Sequence, residues 1–322
     1  MNAAVIESFG ATPRFAAFAD PAADAGAGEV LVTVSAAALH PVVKSLARGA
    51  HYMSTGALPM VPGIDGVGRL EDGARVYFGA MKPPYGSFAE RCATARFFCQ
   101  PIPDTLDDNT VAAMMNPLMS SWGPLTGRAQ FVAGESVLIL GATGVAGQLA
   151  VQVARRLGAK RVVAAGRNPA TLAKLPQLGA DGVISLDQEA AGLIAAVTDE
   201  WARGKIDVVL DYVWGSPAER LMEAISQKGF PGAGSRIRYM QIGAMAGANI
   251  SLPSATLRST GLELMGSGFG SVSIQAIFES LARCIQAAAK EPFSMEIDAF
   301  PLREVESVWD APSSGRRVVF RP

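Results

Sequence analysis

The chain has 322 residues, of which 49% are hydrophobic and 18% charged, with a formal net charge of −1 at pH 7. That length exceeds one core of usual size and predicts two domains, while balanced charge without a basic cluster argues against nucleic-acid or anionic-membrane partners. Cys92, Cys99 and Cys284 form no disulfide pattern and point to a reducing cytoplasm, and residues 1–10 lack the basic start and apolar core of a signal peptide.

Residues 1–40 read as β structure, with a strand over 29–35 after an Ala/Gly/Asp loop at 20–28. Residues 38–49 follow as a loop and a short helix. Residues 61–70 turn into a strand, 74–78 form another, and 85–90 begin a further one. Many short strands separated by Gly and Pro predict a small barrel. From residue 105 the period changes, and 105–114 combine a capping-type start with an apolar helical face. After Asn116-Pro117, residues 118–128 read as a second helix.

Residues 137–158 are the most informative stretch. Val137, Leu138, Ile139 and Leu140 read as a strand buried on both faces, as in a parallel sheet. A glycine-rich turn follows, and Val145, Leu149, Val153 and Leu157 then mark one apolar helix face that Gly158 closes. Interruption by Gly and Gln argues against a membrane span. With the β-rich run at 161–165, the stretch forms a βαβ unit. Free N–H groups and the positive dipole end of a helix attract phosphate, and glycines let backbone approach a pyrophosphate. The spacing is Gly141-x-x-Gly144-x-x-Gly147, with Ala142 where the first Gly of G-x-G-x-x-G would stand. Gly141 and Gly147 shape the turn, and backbone groups of Thr143, Gly144, Val145 and Ala146 are the expected phosphate contacts.

The end of the second strand selects the cofactor. NAD sites place an acid there for the ribose 2′-OH, whereas this chain has Gly166-Arg167-Asn168. Arg167 can fork onto a 2′-phosphate, so NADPH is favoured over NADH. Short buried strands follow at 179–184, 206–211, 239–243 and 262–267, and a helix at 273–289. Gly243 and Ala244 close one of these strands, where the ribose or nicotinamide is expected. Residues 300–302 and 317–320 read as strands returning to the first domain. Arg316 and Arg317 read as solvated strand charges.

The order of these motifs resembles the medium-chain dehydrogenase/reductase superfamily over essentially the whole chain, nearest its zinc-free quinone oxidoreductases. The residues that carry the likeness are His40-Pro41-Val42, 61–68, 85–90, 141–147, 178–181, 206–211 and the closing run from Ser314 and Gly315 to Val319. The resemblance implies an α/β protein with a GroES-like β-barrel domain (1–116 and 290–322) and a doubly wound parallel-sheet Rossmann domain (117–289). It also implies NADPH-dependent reduction of quinones or α,β-unsaturated carbonyls, in a homodimer. Gly268 and Phe269 lie in a loop similar to the one that reaches nicotinamide in this family. The family's Lys in the turn after the second strand has its place near Ala170, which leaves the 2′-phosphate to Arg167.

Metal chemistry is disfavoured. Zinc alcohol dehydrogenases of the superfamily carry Gly-His-Glu, and the matching residues are Gly63-Ile64-Asp65. Ile64 cannot bind metal, no cysteine stands near His40, and the spacing of Cys92 and Cys99 fits no zinc pattern. Hydride transfer to an electron-poor acceptor needs mainly cofactor, orientation and dryness. An oxygen that gains charge as hydride arrives is helped by a hydrogen-bond donor. Tyr52 is the first candidate, His51 and His40 are candidates to donate or shuttle protons, and Lys44 is a further donor. Each has a plainer alternative as a packing or surface residue. The main reading is therefore a zinc-free quinone or enone reductase. A non-catalytic, redox-sensing NADP(H) binder of the same fold and a zinc-free alcohol dehydrogenase are the alternatives.

Overall fold

The computed structural model describes residues 1–24, 27–312 and 315–322. Ala25 and Gly26 of the expected loop and Ser314 of the closing motif lie outside the described residues. Two compact units result, one from Met1–Asn116 with Ile285–Pro322 and one from Pro117–Cys284.

The chain opens with β1 (Asn2–Val5), β2 (Arg14–Ala17), β3 (Glu29–Ala38), α1 (Pro41–Ala47), β4 (Asp65–Leu70), β5 (Arg75–Gly79), β6 (Arg91–Ala95) and β7 (Gln100–Pro101). Next come α2 (Asp108–Gly123), β8 (Ser136–Leu140), α3 (Val145–Arg156), β9 (Arg161–Gly166), α4 (Pro169–Leu172), β10 (Gly182–Ser185) and α5 (Ala190–Arg203). Then follow β11 (Val208–Asp211), α6 (Gly215–Ile225), β12 (Arg236–Gln241), α7 (Ser254–Ser259), β13 (Gly261–Gly266) and α8 (Ile274–Lys290). The chain closes with β14 (Ile297–Pro301), α9 (Val305–Val308) and β15 (Arg317–Arg321).

In the first unit β3 is the shared strand. Its early residues pair antiparallel with β6, its middle with β4, and its end with β15. A register shift between Val34 and Ala36 lets one strand serve these partners. The path β14-β15-β3-β4-β5-β7, with β6 on β3, encloses Val32, Phe78, Phe88 and Phe320. Phe88 meets Phe320 edge-on, with ring centroids 5.2 Å apart, a favoured aromatic geometry.

Two expectations fail here. Residues 85–90 form no strand of their own: Phe88 N–H donates to the Pro62 carbonyl, and Gly86 lies too close to the Val61 and Pro62 carbonyls for a side chain. The ladder resumes only at β6. Residues 118–128 are not a separate helix, because α2 runs through Pro117 to Gly123 and continues as a π-helical turn, Pro124–Arg128. Proline removes one helix hydrogen bond, but Met114, Met115 and Leu118 around it are fully buried and hold the helix together.

The second unit is a six-stranded sheet in the order β10-β9-β8-β11-β12-β13, with every neighbouring pair parallel. Val137, Leu138, Ile139 and Leu140 are all buried, as a strand covered by helices on both faces requires. α3 buries Leu149, Ala150, Val153 and Ala154 and ends at Gly158 with φ +90°, where Gly158 N–H reaches Arg155 and Ala159 N–H reaches Ala154. Among the described residues no helix is long and apolar enough to cross a membrane.

Candidate functional site

Strand order reverses between β8 and β11, and in open α/β sheets ligands sit outside the carboxyl ends of strands at such a reversal. The glycine turn occupies that position. Gly141 has φ +91°, a left-handed conformation that favours glycine. A Cβ on Gly147 would overlap the Gly141 carbonyl oxygen and stand 2.5 Å from Ala142 Cα, so α3 crosses the strand end at backbone contact. A Cβ on Gly166 would lie 2.7 Å from Thr143 Oγ1, so Thr143 is seated against the end of β9. Gly144, with φ −79° and ψ 162°, begins α3, and no side chain caps it. The first N–H groups of the helix, beginning with Val145 and Ala146, have no acceptor within it and are open to an anion.

Arg167 is exposed at the end of β9 and makes no ion pair or hydrogen bond among the described residues. Asn168 is committed locally, because its Oδ1 caps α4 by accepting from Thr171 N–H at 3.0 Å. Gly243 lies two residues beyond β12, and a Cβ there would lie 2.6 Å from the Tyr212 carbonyl oxygen. Ala244 is exposed. Gly268 N–H donates to Ser271 Oγ at 2.8 Å, and Phe269 beside it is 38% exposed.

The corner after β11 was not expected. Asp211 is fully buried; its Oδ1 accepts N–H groups of Val213 and Trp214 at 2.8 and 2.9 Å, and its Oδ2 accepts the Tyr239 hydroxyl at 2.6 Å. Burial raises the Asp211 pKa, and the Tyr239 hydrogen bond opposes the rise. Burial likewise raises the pKa of Tyr212, whose hydroxyl donates to the Ser120 carbonyl at 3.2 Å. Trp214 has φ +54° and ψ −155°, close to a region reserved for glycine. Strain of about 1–3 kcal/mol persists there because surrounding bonds over-determine it. The only local signal was an acid ending an apolar strand.

The other candidates lie in the first unit. His40 precedes α1 and is 1% exposed. Its Nε2 lies 3.2 Å from Asp65 Oδ1, without the alignment of a full hydrogen bond. Asp65 Oδ2 accepts the Tyr77 hydroxyl at 2.7 Å. Arg317 is not a solvated charge: it is buried, and its Nη1 donates to the Leu39 carbonyl at 2.9 Å. Burial lowers the Arg317 pKa to about 10, with Asp65 opposing. Arg316 does reach outward, to Glu296 and Asp298. Tyr52 is 70% exposed and stacks on His51 at 4.2 Å, while His51 Nδ1 accepts from Met53 N–H at 3.3 Å. Lys44 is engaged by Asp310 at 3.6 Å and lies over the Trp309 ring.

Burial lowers the His40 pKa more than Asp65 raises it, so the folded chain favours neutral imidazole. Above the ordinary value of 6.5 both folded and unfolded states are neutral there, and no penalty arises. Below it the unfolded chain binds the proton first, so stability must fall as pH drops through 6.5. Urea unfolding between neutral and mildly acid pH is expected to show that slope, and His40→Asn to flatten it. An unchanged slope in the variant would assign the acid sensitivity elsewhere.

Zinc does not fit this donor set. His40 and Asp65 approach each other, but Ile64 carries no donor, and a catalytic zinc needs three protein ligands. Among the described residues no three His, Cys, Asp or Glu side chains converge as a metal site.

Known proteins carry the same plan. A family described as zinc-binding dehydrogenase matches residues 145–287. A "probable NADPH-dependent quinone reductase" of Emericella nidulans is 29% identical over 91% of this chain and 92% of its own. The quinone oxidoreductase of Rattus norvegicus is 34% identical over 43% of this chain and 44% of its own. The crystal structure of the quinone oxidoreductase from Thermus thermophilus superposes with a TM-score of 0.81 at 26% identity, covering 100% of both chains. A mixed sheet in one unit, a parallel six-stranded sheet with a glycine turn at its reversal in the other, and these likenesses lead to one assignment. These likenesses support a medium-chain dehydrogenase/reductase of the quinone-oxidoreductase-like type, with GroES-like and Rossmann folds.

Proposed function

We propose that this chain is a zinc-independent, NADPH-dependent reductase of quinones or α,β-unsaturated carbonyls. The observation that carries the reading is the uncapped start of α3 behind a glycine turn, with an arginine that has no ion pair among the described residues and no acid at the end of β9. Residues 117–289 are the nucleotide-binding part, and 1–116 with 290–322 the substrate-handling part. The relatives' names and the NADPH complex of the Thermus protein support the cofactor. When bound, NADPH supplies the hydride.

Backbone groups from Gly141 to Gly147, above all those of Thr143, Gly144, Val145 and Ala146, hold the pyrophosphate. Arg167 holds the 2′-phosphate, with Asn168 fixing the turn behind it. Gly243, Ala244, Gly268 and Phe269 flank the nicotinamide end. Tyr52 is the proposed donor to the oxygen that gains charge, with His51 stacked on it. His40 is sealed from solvent and acts as a positioning residue through Asp65. The family likeness supports a homodimer, and cysteine usage supports the cytoplasm. Sedimentation and fractionation test those two points.

NADPH oxidation against a panel of quinones, 2-alkenals and enones, with NADH as control, tests the activity. Binding without turnover on the whole panel would favour a redox-sensing role instead. Arg167→Ala is expected to raise the KM for NADPH about tenfold or more and leave NADH nearly unchanged, since a charge-assisted contact contributes about 1.5–3 kcal/mol. An unaltered NADPH constant would remove Arg167 from the 2′-phosphate. Tyr52→Phe is expected to lower kcat about tenfold or more with little change in NADPH affinity. A full-speed variant would take Tyr52 out of the chemistry.

A further inference from the structure

Three strand ends stand side by side at the reversal of strand order. β8 leads into Gly141, β11 into Tyr212, and β12, two residues on, into Gly243. Tyr212 is the middle one, and both glycines are fitted against it. A Cβ on Gly141 would lie 3.2 Å from Tyr212 Cβ, and a Cβ on Gly243 would lie 2.6 Å from the Tyr212 carbonyl oxygen and 3.2 Å from its Cα. The last paired residues of these strands are Leu140 with Asp211 and Asp211 with Gln241. Tyr212 and Gly243 thus lie beyond the regular ladder. Tyr212 N–H still reaches back to the Leu140 carbonyl at 3.1 Å, and Gly243 N–H to the Asp211 carbonyl at 3.1 Å.

The Tyr212 side chain is anchored on α2, 92 residues earlier. In an α-helix the carbonyl of residue 120 accepts the N–H of residue 124. Position 124 is proline, which has no N–H, and the helix passes there into the π-helical turn Pro124–Arg128. The Ser120 carbonyl is left without its helical donor, and the Tyr212 hydroxyl donates to it at 3.2 Å. Ser120 Oγ lies 3.4 Å from the same hydroxyl and itself donates to the Pro117 carbonyl at 2.8 Å. Tyr212 is buried, and a buried hydroxyl is costly without a partner. That partner exists because a proline stands four residues after Ser120.

We propose that Tyr212 is a positioning residue: its hydroxyl, docked on the carbonyl that Pro124 leaves free, fixes the spacing between the Gly141 turn and the Gly243 corner. Those two corners are separated by two strand spacings, roughly 10 Å. The functional meaning of that spacing rests on the proposed NADPH binding, in which the pyrophosphate meets the first corner and the nicotinamide end passes the second. A ligand held at two points tolerates little change in the distance between them.

Calorimetric titration of the full chain with NADPH and with NADH tests this, together with hydrogen exchange on the cofactor-free chain. Tyr212→Phe keeps the ring and removes only the hydroxyl. It is expected to weaken both dinucleotides by the same factor, about fivefold, because the 2′-phosphate is not involved. Arg167→Ala, by contrast, moves NADPH alone. Pro124→Ala leaves the tyrosine untouched and returns to the helix an N–H that takes the Ser120 carbonyl, so the same loss is expected. Two changes that act through one bond do not add, so the double variant should be within about twofold of Tyr212→Phe. Without cofactor, the Gly141 and Gly243 amides should exchange about fivefold faster in either variant, while Leu186 N–H, bonded to the Gly166 carbonyl at the far side of the sheet, keeps its rate. Parental exchange at both glycines, unaltered NADPH affinity in Tyr212→Phe, a loss confined to NADPH, or losses that multiply in the double variant would overturn the assignment. If the parental chain takes neither dinucleotide, the cofactor reading falls, and the exchange rates alone decide whether Tyr212 holds the two corners.

Discussion

Gly147→Ala is expected to abolish NADPH binding and to lower the melting temperature by about 5 °C or more. One methyl has this effect because its neighbours are backbone. The added Cβ would overlap the Gly141 carbonyl oxygen and approach Ala142 Cα, neither of which can rotate away. Overpacking of this kind costs about 1–3 kcal/mol, and each kcal/mol moves the midpoint of a mid-sized domain by about 2–4 °C. Relief requires α3 to back away from β8, which carries off the N–H groups proposed to meet the phosphates. Gly144→Ala separates the two effects. Its backbone, at φ −79°, accepts alanine, and the new Cβ stands 3.5 Å from Gly141 O, an ordinary contact. Melting should be unchanged, while a methyl at the open end of the helix weakens NADPH about tenfold. Thermal melts and calorimetric titration of both variants check this. Parental behaviour of Gly147→Ala would mean that the turn yields and that its glycines are not there for close approach.

Asp65→Ala is expected to cost about 1–3 kcal/mol of folding stability, the scale for leaving buried polar partners unsatisfied, and more to the extent that the buried Arg317 charge loses its counter-charge. Asp65 is buried beside His40, bonded to the Tyr77 hydroxyl, and close enough to Arg317 to oppose the fall in its pKa. Without the carboxylate, the buried Arg317 guanidinium loses the charge that opposes the fall in its pKa and keeps its hydrogen bond to the Leu39 carbonyl. Replacing both charges should recover much of the loss, because apolar substitutes for a buried pair are often neutral. Asp65→Ala/Arg317→Met is therefore expected to be more stable than Asp65→Ala. Tyr77→Phe removes the hydrogen bond to Asp65 and should cost about 1 kcal/mol. Urea unfolding of the variants provides the comparison. A double variant as weak as the single one would show that Asp65 does not act by balancing Arg317.

The parts of this molecule that were legible beforehand are those written within one short segment. The strand 137–140, the turn at Gly141, Gly144 and Gly147, and the apolar face of α3 lie within a few residues of each other. Strand burial, tight turning and helix period are local properties, so reading them needs no partner. The same holds for the missing acid after β9 and for Gly158 at the end of α3. Local rules failed where burial outweighed propensity. Pro117 suggests a break, yet fully buried neighbours keep α2 continuous. Residues 85–90 have a strand's composition, but the close approach of Gly86 to the Val61 and Pro62 carbonyls turns the chain.

Other features arise from contacts between distant segments. His40, Asp65, Tyr77 and Arg317 converge because β3 pairs with β4 and β15, and β4 pairs with β5. Arg317 reads in isolation as a surface charge, and only that pairing buries it. Asp211 meets Tyr239 through the parallel register of β11 and β12, and that meeting holds Trp214 in its strained corner. The glycine turn was thus decided by covalent neighbours, whose geometry follows from residue type alone. The buried polar cluster and the strained Trp214 corner were decided by strand register, because a buried charge or a strained backbone is tolerated only once its remote partners have closed around it.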